Sequence, residues 1–199
     1  MVADQPVPTQ LLAQVTETSQ DEIELLVRDL SASYQQSGHG FLLVEIAGGW
    51  RYQSHPDLAG QLIQGYDCIS NPANANDGNG IDPNADDPGD GLILGSSSFH
   101  GTHVAGTVAA STNNGIGVAG VSWGARIMPL RVLGTQGGTS YDIIQAVRYA
   151  ARLSNDSGTL PARRADIINL SLGSSAFSQS EQSVYTAARN QGVIIIAAA

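Results

Sequence analysis

Two histidines three residues apart, His100 and His103, lie in "SSFHGTHVAGTVAAS" (residues 97–111), with small and apolar residues after them at helical spacing. At a helix start the positive end of the dipole disfavours imidazolium, so His100 is placed to take a proton from a nucleophile. His103 is one turn on and faces the same side or the core. Read alone, a His-x-x-His pair serves structure, metal binding or catalysis. A second concentration of chemistry is the loop "NDGNGIDPNADDPGDG" (76–91), which holds Asp77, Asp82, Asp86, Asp87 and Asp90. Five carboxylates in one loop repel unless a cation binds or the loop stays solvated, and their spacing does not fit an EF-hand. Cys68 is the one cysteine, so no internal disulfide forms; its setting, "GYDCIS", favours a buried inert thiol over a nucleophile.

The elements that must hold these groups alternate along the chain. Ser19 and Glu22 form a capping-box pair at the head of a helix whose apolar stripe is Ile23, Leu26, Val27, Leu30 and Tyr34. Residues 1–18 read as loose and polar. "FLLVEIA" (41–47) reads as a strand, and residues 69–98 as a long loop. A helix over 101–111, a strand over 125–133, a helix over 140–153, a strand over 165–172, a helix over 180–191 and a strand over 193–199 follow. Strands alternating with helices predict right-handed crossovers and an α/β fold with a mostly parallel, buried sheet. The final run, "GVIIIAAA", has the continuous apolar character of a central strand, so the fold is expected to be cut within that strand, leaving apolar sheet surface open.

Bulk properties narrow the function. The 199 residues suit one domain or a large part of one, and 42% of them are apolar with no run long enough to cross a membrane. The net charge is −9, and every one of the nine basic residues is Arg. That balance argues against nucleic acid as a partner, because phosphate contacts need Lys and Arg. The opening "MVADQPVPTQ" has neither the charged nor the apolar region of a signal peptide.

"HGTHVAGT" with "NNGIGVAGV" (113–121) after it, "HPDL" (55–58) before it and "INLSLG" (168–173) beyond it resembles the subtilisin-like serine proteases, in the family's own motif order, and most of all its secreted bacterial members with an Asp-rich insertion. The resemblance runs from about residue 41 to the end. It implies a three-layer subtilisin-like fold, serine-type endopeptidase activity on polypeptides, an extracellular location and structural Ca2+. By position, His100 matches the general base and His103 a structural histidine. Ser171, Leu172 and Gly173 match the segment lining the primary specificity pocket; Leu133, Gly137, Gly138 and Thr139 match the opposite substrate edge, with Tyr141 near a hydrophobic subsite. An extended peptide would add as a strand between the two edges. Leu133 and Leu172 could equally be ordinary core. The implied tight Ca2+ site takes Asp57, the side chain of Asn114, and the carbonyls of Thr112, Ile116 and Val118. The loop with Asp77, Asp82, Asp86, Asp87 and Asp90 is either a second Ca2+ site or a solvated acidic loop.

The pattern also fails in two places. The triad aspartate should end a strand just before HPDL; aligning Gly49 with the motif glycine puts Ala47 in its place. Glu45, on the same strand face, falls short by about 6–7 Å. The family's oxyanion asparagine after "AAAGN" and its Gly-Thr-Ser-Met-Ala nucleophile segment do not occur in these residues. Losing the aspartate alone typically costs about 10⁴ in turnover, so this chain as given is expected to be inactive. Residues 1–40 match the family poorly and are either propeptide-like or a divergent first layer; residues 41–199 form a partial peptidase domain. The readings are an endopeptidase lineage in this incomplete form, a peptide-binding pseudoprotease, or a non-functional gene fragment. A propeptide or a complementary C-terminal fragment is the expected protein partner.

Overall fold

The computed structural model describes residues 7–36, 41–46, 49–54, 56–91, 97–115, 118–173 and 177–198. The chain divides into two compact units, one of residues 62–101 and 127–199, the other of residues 2–61 and 102–126.

The second of these begins with β1 (Val7–Pro8), α1 (Thr9–Thr16) and α2 (Gln20–Gln36), followed by β2 (Phe41–Ile46) and β3 (Gly49–Ser54). Segment 9–16, expected to be loose, is a helix. Nothing in the side chains caps its start, and Glu17 ends it in the left-handed conformation, which is why it carries no N-terminal signature. The head of α2 is as predicted: the Ser19 hydroxyl accepts from the Glu22 N–H at 3.2 Å. Ile23 is buried on its inner face, as is Ala13 of α1. The strand predicted over 41–47 is present as β2, but its partner is β3, antiparallel from Phe41↔Ser54 to Ile46↔Gly49, and the sheet order is β1-β3-β2. Trp50 of β3 is buried, with Arg28 over its ring at 6.0 Å. After the short α3 (Pro56–Ala59), this unit is completed by most of α5 (His100–Ala109) and the loop behind it. Gly120 closes onto the end of that helix, donating to the Ala110 carbonyl at 3.1 Å.

The other unit carries the parallel pairs. β4 (Tyr66–Asp67) pairs with β5 (Leu130–Arg131), and β6 (Ile167–Leu170) with β7 (Ile194–Ala197), in register from Ile167↔Ile194 to Leu170↔Ala197. Between them run α4 (Pro72–Ala75), α6 (Ser140–Ala150) and α7 (Gln179–Asn190). α6 and α7 begin at side-chain caps, Thr139 on the Asp142 N–H and Ser178 on the Glu181 N–H. Val147, Ala150, Ala151, Ile168, Val184, Ala188 and Val193 form the core of this unit. A second cluster, Tyr66, Cys68, Ala146 and Tyr149, sets the two tyrosine rings 5.0 Å apart at a 42° tilt and buries the thiol. The strand predicted over 125–133 shortens to two residues plus a bridge at Ile127. Pro129 breaks the run, because it brings no N–H to a ladder. Ile167, Ile194 and Ile196 are each more than half exposed on the other face of the β6–β7 pair.

Candidate functional site

His100 is the first residue of α5 and is exposed. The residues just before it are held by the end of the acidic loop. Phe99, just before it, is buried with φ +44°, a conformation non-glycine residues rarely adopt. Asp90 takes both polar hydrogens of Ser98, the N–H at 2.6 Å and the hydroxyl at 2.7 Å. Partial burial works against ionising Asp90, but the Ser98 bonds outweigh it, with a smaller contribution from the charge of His100, and its pKa lies below the usual range. Gly89 has φ +97°, and a Cβ there would come 2.3 Å from the Ser97 hydroxyl, so only glycine fits. The insertion is thus fastened to residues 97–99, directly ahead of α5. His103 is exposed on the same helix and its carbonyl accepts from Thr107 at 3.1 Å.

The expected substrate edge after β5 is a tight turn. Gly134 and Gly137 exchange both N–H···O bonds at 3.0 Å. Asn74, buried at the end of α4, holds that turn from below: its Nδ2 donates to the Gly137 carbonyl at 2.9 Å, its Oδ1 accepts from the Gln136 N–H at 2.6 Å, and its own carbonyl accepts from Thr135 at 3.0 Å. A Cβ on Gly134 would come 2.0 Å from the Asn74 carbonyl oxygen. Both polar backbone groups of Gly137 are therefore used inside the turn. Leu133 is exposed rather than core. Thr139 caps α6. Tyr141, also exposed, donates its hydroxyl to Asp156 at 2.5 Å, and Gln145 grips the same residue through two bonds. This raises the Tyr141 pKa, since the phenol hydrogen is held by a carboxylate. The opposite edge follows β6. The Ser171 hydroxyl accepts from Asn169 at 2.8 Å, Leu172 is half-buried, and a Cβ on Gly173 would meet open space.

The acidic loop is organised around a cation of the chain's own. Arg131 of β5 is buried and meets Asp67 at 2.6 Å, Asp77 at 3.3 Å and Asp87 at 3.8 Å, and also donates to the carbonyl of Ala75. Desolvation pushes Asp67 up to about 6, against the pull of the Ile69 N–H and of Arg131. Asp87 is raised for the same first reason. Asp82 caps the Asn84 N–H at 2.5 Å, and Asp86 is exposed. Among the described residues no three His, Cys, Asp or Glu side chains converge as a metal would need.

In the other unit, Asp57 is buried at the foot of the loop behind α5. Its Oδ1 is met by the Asn114 amide nitrogen, its Oδ2 by the Val118 N–H at 3.0 Å, and its carbonyl by the Ser111 N–H at 2.7 Å. The structure thus brings Asp57, Asn114 and Val118 together. Thr112 lies in the same loop and turns its hydroxyl to the Ala110 carbonyl at 3.4 Å. Carboxylate, amide and carbonyl oxygens are the donors a hard divalent ion takes; in this structure the Asn114 amide nitrogen and the Val118 N–H are the groups that face the Asp57 carboxylate. Ile116 and Ala47 lie outside the described residues. Glu45 of β2 is engaged by Arg28 at 3.4 Å.

Parallel strand pairs with helical crossovers, a histidine opening a small-residue helix and a glycine-built turn after a strand define an α/β protein of subtilisin-like type. Residues 45–199 match the subtilase family model, and the chain belongs to that family. It is 42% identical over 173 residues to an extracellular protease of Xanthomonas campestris pv. campestris, covering 82% of this chain and 30% of that one. To thermitase of Thermoactinomyces vulgaris it is 35% identical, over 73% of this chain and 42% of the relative. A protease structure from Pseudoalteromonas arctica superposes with a TM-score of 0.68 at 44% identity, over 72% of this chain and 45% of that one. The chain thus spans less than half of each. A second model, segregation and condensation complex subunit ScpB, matches residues 1–70.

Sequence reading missed Asn74 and Arg131. Asn74 is one of several asparagines in "SNPANAND". Arg131 did carry a signal: a lone cation inside "IMPLRVL" must find carboxylates if it is buried.

Proposed function

We propose that the protein is of serine endopeptidase lineage, with His100 as general base and the turns at 133–139 and 171–173 as peptide edges, and that the 199-residue chain on its own does not cleave peptides. Attack on a peptide carbonyl needs a hydroxyl nucleophile, a base to take its proton, a carboxylate to orient that base and donors for the oxyanion. The observation that carries inactivity is the pairing of β2. The segment that aligns with the aspartate-bearing strand runs antiparallel to β3 in a small three-stranded sheet, and the carboxylate it carries, Glu45, is paired with Arg28. We place Ca2+ at Asp57 and Asn114 with carbonyls of Thr112, Ile116 and Val118, where it would hold the loop behind α5 in place. Relatives named extracellular protease support a location outside the cell. Incubating the purified chain with unfolded casein and Ca2+ tests the central part. We expect no peptide release above a His100→Ala control; release that this substitution abolishes would overturn the reading.

A further inference from the structure

We infer that Asn74 is a positioning residue for peptide binding, acting by fixing the turn that precedes the 138–139 edge; this rests on the reading of 133–139 as a peptide edge. Three facts carry it. Asn74 is buried, yet spends its side-chain donor, its side-chain acceptor and its backbone carbonyl on three successive residues, Gly137, Gln136 and Thr135. Gly134 lies so close that no larger residue fits against the Asn74 carbonyl. And α4, which presents Asn74, is itself fastened to the strand leading into the turn. Asn71 caps its start on the Ala73 N–H at 3.0 Å, and its last carbonyl, Ala75, accepts from Arg131, which Asp67 and Asp77 hold in turn.

The result is a closed loop of contacts. β5 supplies Arg131, Arg131 fixes α4, and α4 supplies the side chain that fixes the turn after β5. A peptide adding as a strand gains most when the edge it meets is already ordered, because ordering on binding subtracts from affinity. Both lone pairs of the Gly137 carbonyl are taken, by Gly134 and by Asn74, so a peptide is steered to the backbone groups beyond it. The segment joining β4 to the acidic insertion thus orders the turn after β5.

The test uses the whole chain and a fluorescein-labelled, eight-residue alanine-rich peptide. Asn74→Ala is expected to raise the Kd about tenfold and to speed amide exchange at Gln136. Val184→Ala, a core truncation in the same unit, is the control; it lowers stability and is expected to leave the Kd unchanged. Asn74→Asp, which keeps the acceptor for Gln136 and loses the donor to Gly137, is expected to fall between wild type and Asn74→Ala. Equal Kd values for Asn74→Ala and wild type would overturn the inference. So would equal weakening by Val184→Ala, which would reduce Asn74 to a general stabilising residue. Failure of the unaltered chain to bind peptide would instead contradict the peptide-edge reading, and this assignment with it.

Discussion

Arg131 and Asp67 form a buried ion pair at 2.6 Å, with Asp77 and Asp87 close by, at the strand that leads to the Gly134–Gly137 turn. Removing one partner of such a pair strands the others in a low-dielectric setting. Arg131→Met is therefore expected to destabilise the protein by about 3–5 kcal/mol, measured by urea denaturation at pH 7. Asp67 also makes stability depend on pH, with a defined sign. Its carboxyl titrates at about 6 in the fold against an ordinary 3.8, so the folded state binds its proton more tightly than the unfolded chain. The contribution is full below about 4 and is lost as pH rises through about 6, with a slope approaching about 1.4 kcal/mol per pH unit between them. Subtracting the profile of Asp67→Asn should isolate this fall; identical profiles would contradict it. The family motif around His100 was legible, because a histidine followed by glycine and small residues is distinctive locally. Asn74 was not, since its importance comes from a turn 60-odd residues away in the chain.

Helices α2, α5, α6 and α7 fall within a few residues of where apolar spacing and caps put them, because each carries its own start signal or a clear stripe. α1, β3 and α4 were not read. α1 lacks a side-chain cap, β3 has no clean alternation in "GWRYQS", and α4 is one turn inside a segment rich in turn-forming residues. The antiparallel partner of β2 was not legible either, because a run such as "FLLVEI" does not say in which direction its neighbour runs. The loop behind α5 gives the prediction proper to this level of structure. Asp57 and Asn114 gather at its base, so saturating Ca2+ should raise the melting temperature by roughly 5–10 °C over the chelated protein. Asp57→Asn should remove most of that difference, and a melting temperature indifferent to chelator would contradict a Ca2+ site there.

Residues 45–199 match the subtilase model and residues 1–70 the ScpB model, so the two overlap over 45–70, the stretch that includes β3 and HPDL. Motif reading located the family from "HGTHVAGT" and "NLSLG", whose meaning is local, and noticed that alanine stood where an aspartate was due. The pairing of the flanking strands within an antiparallel sheet became visible only in three dimensions. The proposed function is a chain that holds an extended peptide at residues 133–139 without cutting it. Titrating it with a labelled extended peptide, and recovering the peptide at the end for mass analysis, tests this directly. Saturable binding with the peptide recovered intact is expected. Absence of saturable binding, or cleavage that His100→Ala abolishes, would contradict it.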